Sequence, residues 1–190
     1  MELLEQRIIR DATVIGDDIL KVDMFLNHQI DVDLLNDMGK EFYRLFGDMG
    51  ITKILTIEAS GIGIACIAAQ YFSVPVVFAK KGNHKNVGSN VYTSEVFSFT
   101  KGVSYTITVS QDYINPEDNI LVIDDFLANG KAIMGLKDII DQAGASLAGV
   151  GIAIEKGFQP GGKMIRDNGI KVESLAIVDS MKDGKVHFRR

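Results

Sequence analysis

Cysteine, proline and tryptophan are scarce in this chain of 190 residues, which has one cysteine, three prolines and no tryptophan. A single cysteine cannot form an internal disulfide, which excludes a disulfide scaffold and favours a reducing, cytoplasmic compartment. Because proline is rare and 46% of the residues are hydrophobic, a disordered or collagen-like chain is excluded as well. We expect a single domain over 1–190, long enough to bury a substantial core.

Positive charge is also in deficit: the chain has 20 Lys and Arg residues and 25 Asp and Glu residues, which gives a net charge of −5. General nucleic-acid binding rests on many contacts between basic side chains and phosphates, so we expect no nucleic-acid partner. One uncharged stretch, 59–79, has the length of a membrane span, but Pro75 and several glycines and serines interrupt it. It predicts a buried helix followed by a buried strand, and we expect no membrane partner.

The hydrophobic pattern predicts an α/β fold. A helix over 33–49 precedes a strand, a helix and a second strand, an order that joins parallel strands through a crossover. Clean alternation over 103–109 predicts an antiparallel hairpin with 92–99. The remaining predicted elements are strands at 51–57, 74–79, 120–124, 149–155 and 171–178, and helices at 62–72, 130–143 and 163–168. We therefore expect a mostly parallel central sheet flanked by helices.

The most informative segment lies at the end of the predicted strand 120–124. Ligands of parallel sheets bind beyond the carboxyl ends of the strands, and here Asp124 and Asp125 are followed by a turn into a helix. Carboxylates accept hydrogen bonds from sugar hydroxyls, and the N–H groups of a helix N-terminus favour a phosphate. The pair and the turn together suit a sugar phosphate, whereas the plain alternative is an ordinary turn after a strand.

Residues 120–132 resemble the signature by which type I phosphoribosyltransferases bind 5-phosphoribosyl 1-diphosphate (PRPP). The usual hydroxyl residues around the glycine are replaced here, because Ala128 and Asn129 precede Gly130, and Lys131 and Ala132 follow it. This variant is similar to the xanthine phosphoribosyltransferase branch. Segments 20–31, 142–146 and 154–160 resemble the same branch, so the likeness extends over essentially the whole chain.

The resemblance implies the type I phosphoribosyltransferase fold, with a small hood from roughly 1–35 and the C-terminal segment. It also implies an antiparallel lid hairpin at roughly 81–105. The implied reaction converts xanthine and PRPP to xanthosine 5′-monophosphate (XMP) and pyrophosphate, with Mg²⁺ carried by PRPP and no metal site of the protein. The implied assembly is a homodimer, and xanthine and PRPP are the implied small-molecule partners.

Site residues follow from the strand ends and from the resemblance. The catalytic candidates are Asp124 and Asp125. The candidates for PRPP are Ala128, Asn129, Gly130, Lys131, Ala132, Ala59, Ser60, Gly61, Lys80 and Lys81. Lys156 can donate to an oxo group of a purine and Phe158 can stack on its ring. Leu20 and Asn27 are assigned to xanthine by the resemblance alone.

Two other readings stay open at this point. A related enzyme would use hypoxanthine or guanine, because a lysine that faces oxo groups does not separate these bases. A regulator that senses PRPP would keep the fold without the chemistry, but it would carry a basic DNA-binding part. We also expect Cys66 to be an inert buried thiol.

Overall fold

The computed structural model describes residues 1–82, 90–98 and 102–190. The helices are α1 (Glu2–Asp11), α2 (Val32–Phe46), α3 (Ser60–Phe72), α4 (Lys131–Gln142) and α5 (Gly161–Asp167). The strands are β1 (Thr13–Ile15), β2 (Ile19–Lys21), β3 (Lys53–Ile57), β4 (Val76–Lys81), β5 (Val91–Ser98), β6 (Val103–Ser110), β7 (Asn119–Leu127), β8 (Ser146–Lys156), β9 (Val172–Lys182) and β10 (Lys185–Phe188). A π-helical turn, Asp23–Asn27, and a 3₁₀ turn, Gln111–Tyr113, complete these elements.

Eight strands form the main sheet, in the order β10-β9-β8-β7-β3-β4-β6-β5. The five central strands, β9, β8, β7, β3 and β4, are parallel, and β10, β6 and β5 join them antiparallel. The predicted α/β class with a mostly parallel sheet is therefore confirmed, as is the hairpin. The hairpin β5–β6 joins the sheet through Lys80 opposite Thr108 and Lys81 opposite Ile107.

Both faces of the central strands are buried, as expected for parallel strands covered by helices on each side. Along β7, Leu121 and Ile123 pack on one face, while Ile120 and Val122 pack on the other. Helix α2 approaches β8 closely because Gly151 has no side chain: a Cβ there would lie 2.8 Å from Cε1 of Phe42. This contact brings α2 directly onto the sheet.

The N-terminal elements are the part that the hydrophobic pattern does not predict. Helix α1 and the two-stranded sheet β1–β2 precede α2, and the amino group of Met1 donates to the carbonyl of Leu175 in β9. Leu4 and Ile8 of α1 are fully buried against residues of β9. These elements lie within the region 1–35 for which a hood was predicted, and the strands β1 and β2 pair with each other in a separate two-stranded sheet.

Two further differences concern the lid and the cysteine. Residues 83–89 and 99–101 of the predicted lid lie outside the described residues, so its described part is the end of β4, residues 90–98 and the start of β6 from residue 102 onwards. The expectation for Cys66 is wrong, because its side chain is exposed on α3. The buried face of α3 is occupied instead by small residues such as Ala65 and Ala68, together with Ile64.

Candidate active site

The carboxyl ends of four parallel strands place the predicted site residues along one edge of the sheet. Asp124 and Asp125 lie in β7, and the turn 128–130 leads from β7 into α4. The segment between β3 and α3, the end of β4 and the end of β8 lie beside it, because the order β8-β7-β3-β4 makes them neighbours. The topology therefore brings together segments that are up to about a hundred positions apart in the sequence.

Asp124 is nearly removed from solvent, with 5% of its surface exposed, whereas Asp125 is half-buried. The N–H of Asp125 donates to Oδ1 of Asp124 at 3.0 Å, and the N–H of Phe126 donates to Oδ1 of Asp125 at 2.9 Å. Burial, followed by the charge of Asp125, raises the pKa of Asp124 well above its ordinary value, while the backbone hydrogen bond and Lys81 oppose this change. Among the described residues, none forms an ion pair with Asp124.

Gly61, at the start of α3, touches the acid directly. A Cβ at this position would lie 2.9 Å from Oδ1 of Asp124 and would overlap the hydroxyl oxygen of Thr56. Only glycine fits here, so the segment 59–61 sits against the carboxylate of β7. Thr56 is fully buried, and its hydroxyl has no hydrogen-bond partner within the part of the chain that the structure describes.

The turn after β7 has the backbone shape of an anion-binding turn. Gly130 has a positive φ of 79°, and α4 begins directly after it, so successive N–H groups are presented at a helix N-terminus. The N–H of Lys131 donates to the side-chain oxygen of Asn129 at 3.1 Å, which closes the turn on itself. The side chain of Lys131 is exposed.

The structure separates the two lysines of β4, because neighbouring side chains of a strand point to opposite faces. The ammonium group of Lys81 lies 5.7 Å from the ring centroid of Tyr105, and its charge acts on Asp124. Lys80 instead lines a groove of about 610 Å³ together with Phe78 and Tyr113. Of these two lysines, Lys81 is therefore the one beside the acid pair.

At the end of β8, Lys156 bridges the site and the hood. Its ammonium group donates to the carbonyl of Asp18 at 2.6 Å and lies 5.9 Å from the ring centroid of Phe126. Burial lowers the pKa of Lys156, and the charge of Asp18 opposes this change. Of the other residues assigned to the base, Leu20 is buried, whereas Asn27 and Phe158 are exposed.

Four residues at this edge are absent from the sequence-based site. Glu58 and Phe126 directly adjoin predicted site residues, so the strand-end argument contained the signal for both: the carboxylate of Glu58 accepts from the N–H of Lys81 at 2.5 Å. Asp18 and Tyr105 have no such signal in the sequence. Burial, followed by the charge of Asp124, raises the pKa of Tyr105, which places this phenol near the acid pair.

The described residues lack two further features, a cluster of metal ligands and a membrane-spanning helix. Three or more His, Cys, Asp or Glu side chains that could together hold a metal ion do not occur in this part of the chain. The described helices are also too short or too polar for any of them to cross a membrane.

Solved structures with this architecture define the class of protein. An adenine phosphoribosyltransferase from Rhodothermus marinus superposes with a TM-score of 0.75 over 93% of this chain and 97% of its own, at 21% identity. The enzyme of Saccharomyces cerevisiae in complex with adenine reaches 0.73 over 92% of this chain and 99% of its own, at 17% identity. The fold is that of the type I phosphoribosyltransferases.

Curated relatives narrow this class to one family, although no protein-family model matches the chain. A xanthine phosphoribosyltransferase from Ruminiclostridium cellulolyticum is 66% identical over 188 residues, which cover 99% of each chain. That of Clostridium novyi is 66% identical over 189 residues and 100% of both chains. The chain belongs to the xanthine phosphoribosyltransferase family.

Proposed function

We propose that this protein transfers the 5-phosphoribosyl group of PRPP to xanthine and releases XMP and pyrophosphate. The observation that carries the proposal is the contact between Gly61 and Asp124. It puts the segment that suits a diphosphate directly beside the carboxylates that suit a ribose, which is the arrangement that the ribose–diphosphate bond requires. The names of the full-length relatives support xanthine as the base.

In the reaction, N9 of xanthine forms a bond to C1 of the ribose while the bond from C1 to the diphosphate oxygen breaks, and the proton of the xanthine imidazole ring passes to water. The ribose ring becomes positively charged in the transition state, so catalysis rests on positioning and electrostatic stabilisation. Asp124 and Asp125 accept hydrogen bonds from the ribose hydroxyls, and their negative charge favours the cationic ring. Burial raises the pKa of Asp124, but it also strengthens the action of the ionised carboxylate on the ring, because a charge acts more strongly where water is excluded.

Phosphate binding is divided between two turns. The segment Ala128, Asn129, Gly130, Lys131 and Ala132 holds the 5′-phosphate through backbone N–H groups other than that of Lys131, which donates to Asn129. The segment Ala59, Ser60 and Gly61, together with the ammonium group of Lys81, holds the diphosphate. Lys80 remains a prediction, and its place on the other face of β4 does not support a contact with PRPP in the same chain.

The base lies between the end of β8 and the hood. An ammonium group has three N–H donors, and the carbonyl of Asp18 takes one from Lys156, which leaves two for the oxo groups of xanthine. The exposed ring of Phe158 is free to stack on the purine, while Leu20 and Asn27 approach it from the hood. The ring of Phe126, close to Lys156, supplies a second apolar surface.

The donor set of the site fits Mg²⁺ that arrives with PRPP. Asp124 and Asp125 offer carboxylate oxygens, which Mg²⁺ prefers, but two adjacent acids are too few for an all-protein site. Bound in this way, Mg²⁺ neutralises negative charge on the departing diphosphate.

We further propose that the enzyme is a cytoplasmic homodimer. The exposed thiol of Cys66 suits a reducing compartment. The half-exposed rings of Phe78 and Tyr113 beside the groove at β4 supply an apolar surface for a second copy of the chain.

The test is incubation with PRPP, Mg²⁺ and either xanthine, hypoxanthine or guanine, with nucleotide and pyrophosphate measured together. We expect XMP and pyrophosphate in equal amounts, with xanthine as the preferred base. The absence of nucleotide with every base would overturn the proposal and favour a PRPP-sensing regulator. A clear preference for hypoxanthine or guanine would overturn only the base assignment.

The role of Lys156 is tested by Lys156→Ala. Because xanthine carries a second oxo group that hypoxanthine lacks, we expect kcat/KM for xanthine to fall by about tenfold more than kcat/KM for hypoxanthine, the size expected for a lost charged hydrogen bond. Lys163→Ala, at an exposed lysine of α5, is the matched control and should leave both values unchanged. Equal losses with the two bases would remove Lys156 from base selection.

A further inference from the structure

The end of β8 carries an ion pair, between a buried glutamate and a partly exposed arginine, that the proposed chemistry does not use. Glu155 is 2% exposed, and both of its oxygens are occupied. Arg166 of α5 donates to Oε1 and to Oε2 at 2.8 Å each, and the hydroxyl of Ser174 donates to Oε2 at 2.5 Å. Burial raises the pKa of Glu155, but the hydrogen bonds from Arg166 and Ser174 outweigh it, so the pKa lies below its ordinary value.

This pair fastens α5 to the sheet. The helix has seven residues, well below the roughly 12–15 at which an isolated helix becomes stable, so tertiary contacts must hold it. A bidentate pair between Arg and a carboxylate sets both distance and angle, which apolar contacts do not. Gly162 allows this approach, because a Cβ there would overlap the carboxylate of Glu155 and lie 2.7 Å from Nη1 of Arg166.

The first turn of the same helix supports the turn that follows β7. The N–H of Gly161 donates to the carbonyl of Ala128 at 3.0 Å. A Cβ on Gly161 would lie 2.5 Å from the backbone nitrogen of Gly130 and would overlap the carbonyl of Ala128. On the other side, a Cβ on Gly130 would lie 2.8 Å from Cε of Met164. The backbone of α5 is thus in direct contact with the backbone of the turn.

We propose that the pair Glu155–Arg166 is a positioning element for the 5′-phosphate: acting through α5, it holds the turn 128–130 in the shape that binds this group. The inference rests on the proposed function, in which this turn binds the 5′-phosphate and the segment 59–61 binds the diphosphate. Neither Glu155 nor Arg166 touches the substrate. We expect their effect to be selective, because among the described residues the hydrogen bond and the close backbone approach of α5 are to the turn 128–130.

The kinetic consequence separates this role from general stability. A displacement of about 1 Å in a binding group can cost up to a hundredfold in rate, so we expect Arg166→Met to lower kcat/KM for PRPP by about ten- to a hundredfold. The KM for xanthine should change less than kcat/KM for PRPP, because Lys156 is the neighbour of Glu155 in β8 and neighbouring side chains of a strand point to opposite faces. Arg166→Lys, which keeps the charge but loses the bidentate geometry, should restore activity in part.

The deciding experiment measures the binding of ribose 5-phosphate and, separately, of pyrophosphate with Mg²⁺, by calorimetry at a temperature where every variant is folded. For Arg166→Met we expect weaker binding of ribose 5-phosphate, by about tenfold or more, and unchanged binding of pyrophosphate. Lys163→Met, at an exposed residue of the same helix, is the matched control. Unchanged binding of ribose 5-phosphate, or equal losses for the two ligands, would overturn the inference.

Gly161→Ala provides a second route if Arg166→Met does not fold. This variant keeps both Glu155 and Arg166, but its added Cβ overlaps the backbone of the turn 128–130. It should therefore weaken the binding of ribose 5-phosphate and leave the binding of pyrophosphate unchanged. Equal weakening of both ligands by Gly161→Ala would contradict the proposed contact. If the wild-type protein itself binds no ribose 5-phosphate, the proposed function fails; if it binds and the variants bind equally well, only the present inference fails.

Discussion

Asp124 at the end of β7 and Glu155 at the end of β8 lie on neighbouring, hydrogen-bonded strands and are both almost fully buried. Both carboxylate oxygens of Glu155 accept hydrogen bonds within the protein, from the guanidinium group of Arg166 and from the hydroxyl of Ser174. Asp124 has a backbone N–H and a second carboxylate as its neighbours, and no ion pair among the described residues. The pKa of Glu155 is accordingly lowered, whereas that of Asp124 is raised.

This difference supports our proposal that Glu155 serves the fold whereas Asp124 serves a ligand. Burying a charge costs several kcal/mol unless partners compensate for it. At Glu155 the compensation comes from α5 and β9, which fixes these elements in place. At Asp124 the described residues supply no such ion pair, and in the proposed reaction a sugar with several hydroxyls and a developing positive charge supplies the compensation.

The largest expected effect is on turnover. Asp124→Asn combined with Asp125→Asn should lower kcat by a factor on the order of 10³, because the charge that stabilises the cationic ribose is removed. Circular dichroism should show an unchanged fold. Asp37→Asn, at an exposed acid of α2, is the control and should keep wild-type activity. Retention of wild-type turnover by the double variant would end the proposed role of the acid pair.

The next effect concerns stability and should have opposite signs at the two strand ends. Arg166→Met leaves the buried carboxylate of Glu155 with Ser174 alone, so we expect the free energy of unfolding to fall by about 3 kcal/mol. Asp124→Asn removes a charge that the fold does not compensate, so Tm should stay the same or rise. Denaturant unfolding of both variants at neutral pH measures the difference. Similar losses in the two variants would show that the two carboxylates do not differ in the way described.

The smallest effect is the pH dependence of this difference. The raised pKa of Asp124 means that the folded state holds its proton more tightly, so its contribution to stability is lost as pH rises above the ordinary aspartate range. The lowered pKa of Glu155 has the opposite sign, and its contribution is lost as pH falls through the ordinary glutamate range. Asp125, Lys81 and Tyr105 face Asp124 and modulate its titration.

The measurement is Tm against pH, from about pH 4 to 8, for the wild type and the two single variants. The gain in Tm from Asp124→Asn should grow as pH rises. The loss of Tm from Arg166→Met should shrink as pH falls. Parallel curves for the three proteins would contradict both assignments.

Much of the fold and of the site could be predicted because parallel strands repeat one simple pattern. Four apolar residues followed by Asp124 and Asp125 identify a buried strand and its functional end without any tertiary information. The same argument finds Gly61, Gly130 and Lys156. It does not separate Lys80 from Lys81, because which face of β4 turns toward the acid pair depends on how β6 joins it.

Other features have no local signal at all. Asp18 meets Lys156 across 138 positions of sequence, and it does so through a backbone carbonyl that any residue could supply. The exposure of Cys66 depends on which face of α3 turns inward, and an apolar helix rich in alanine gives little indication of that face. The short strands β1 and β2 are equally hard to predict, because three residues are too few for a period to show.

The sequence by itself therefore determined the α/β class, the order of the central elements and the strand ends that carry the chemistry, since hydrophobic period and turn residues act locally. It also contained the motifs that the resemblance rests on. Only the tertiary structure decided that Glu155 has an ion pair, that Asp124 has none within 1–82, 90–98 and 102–190, and that α5 contacts the turn 128–130. These outcomes depend on which side chains are in contact across the sheet. Because burying a charge is costly unless partners compensate for it, those contacts determine whether a buried carboxylate is stabilised within the protein.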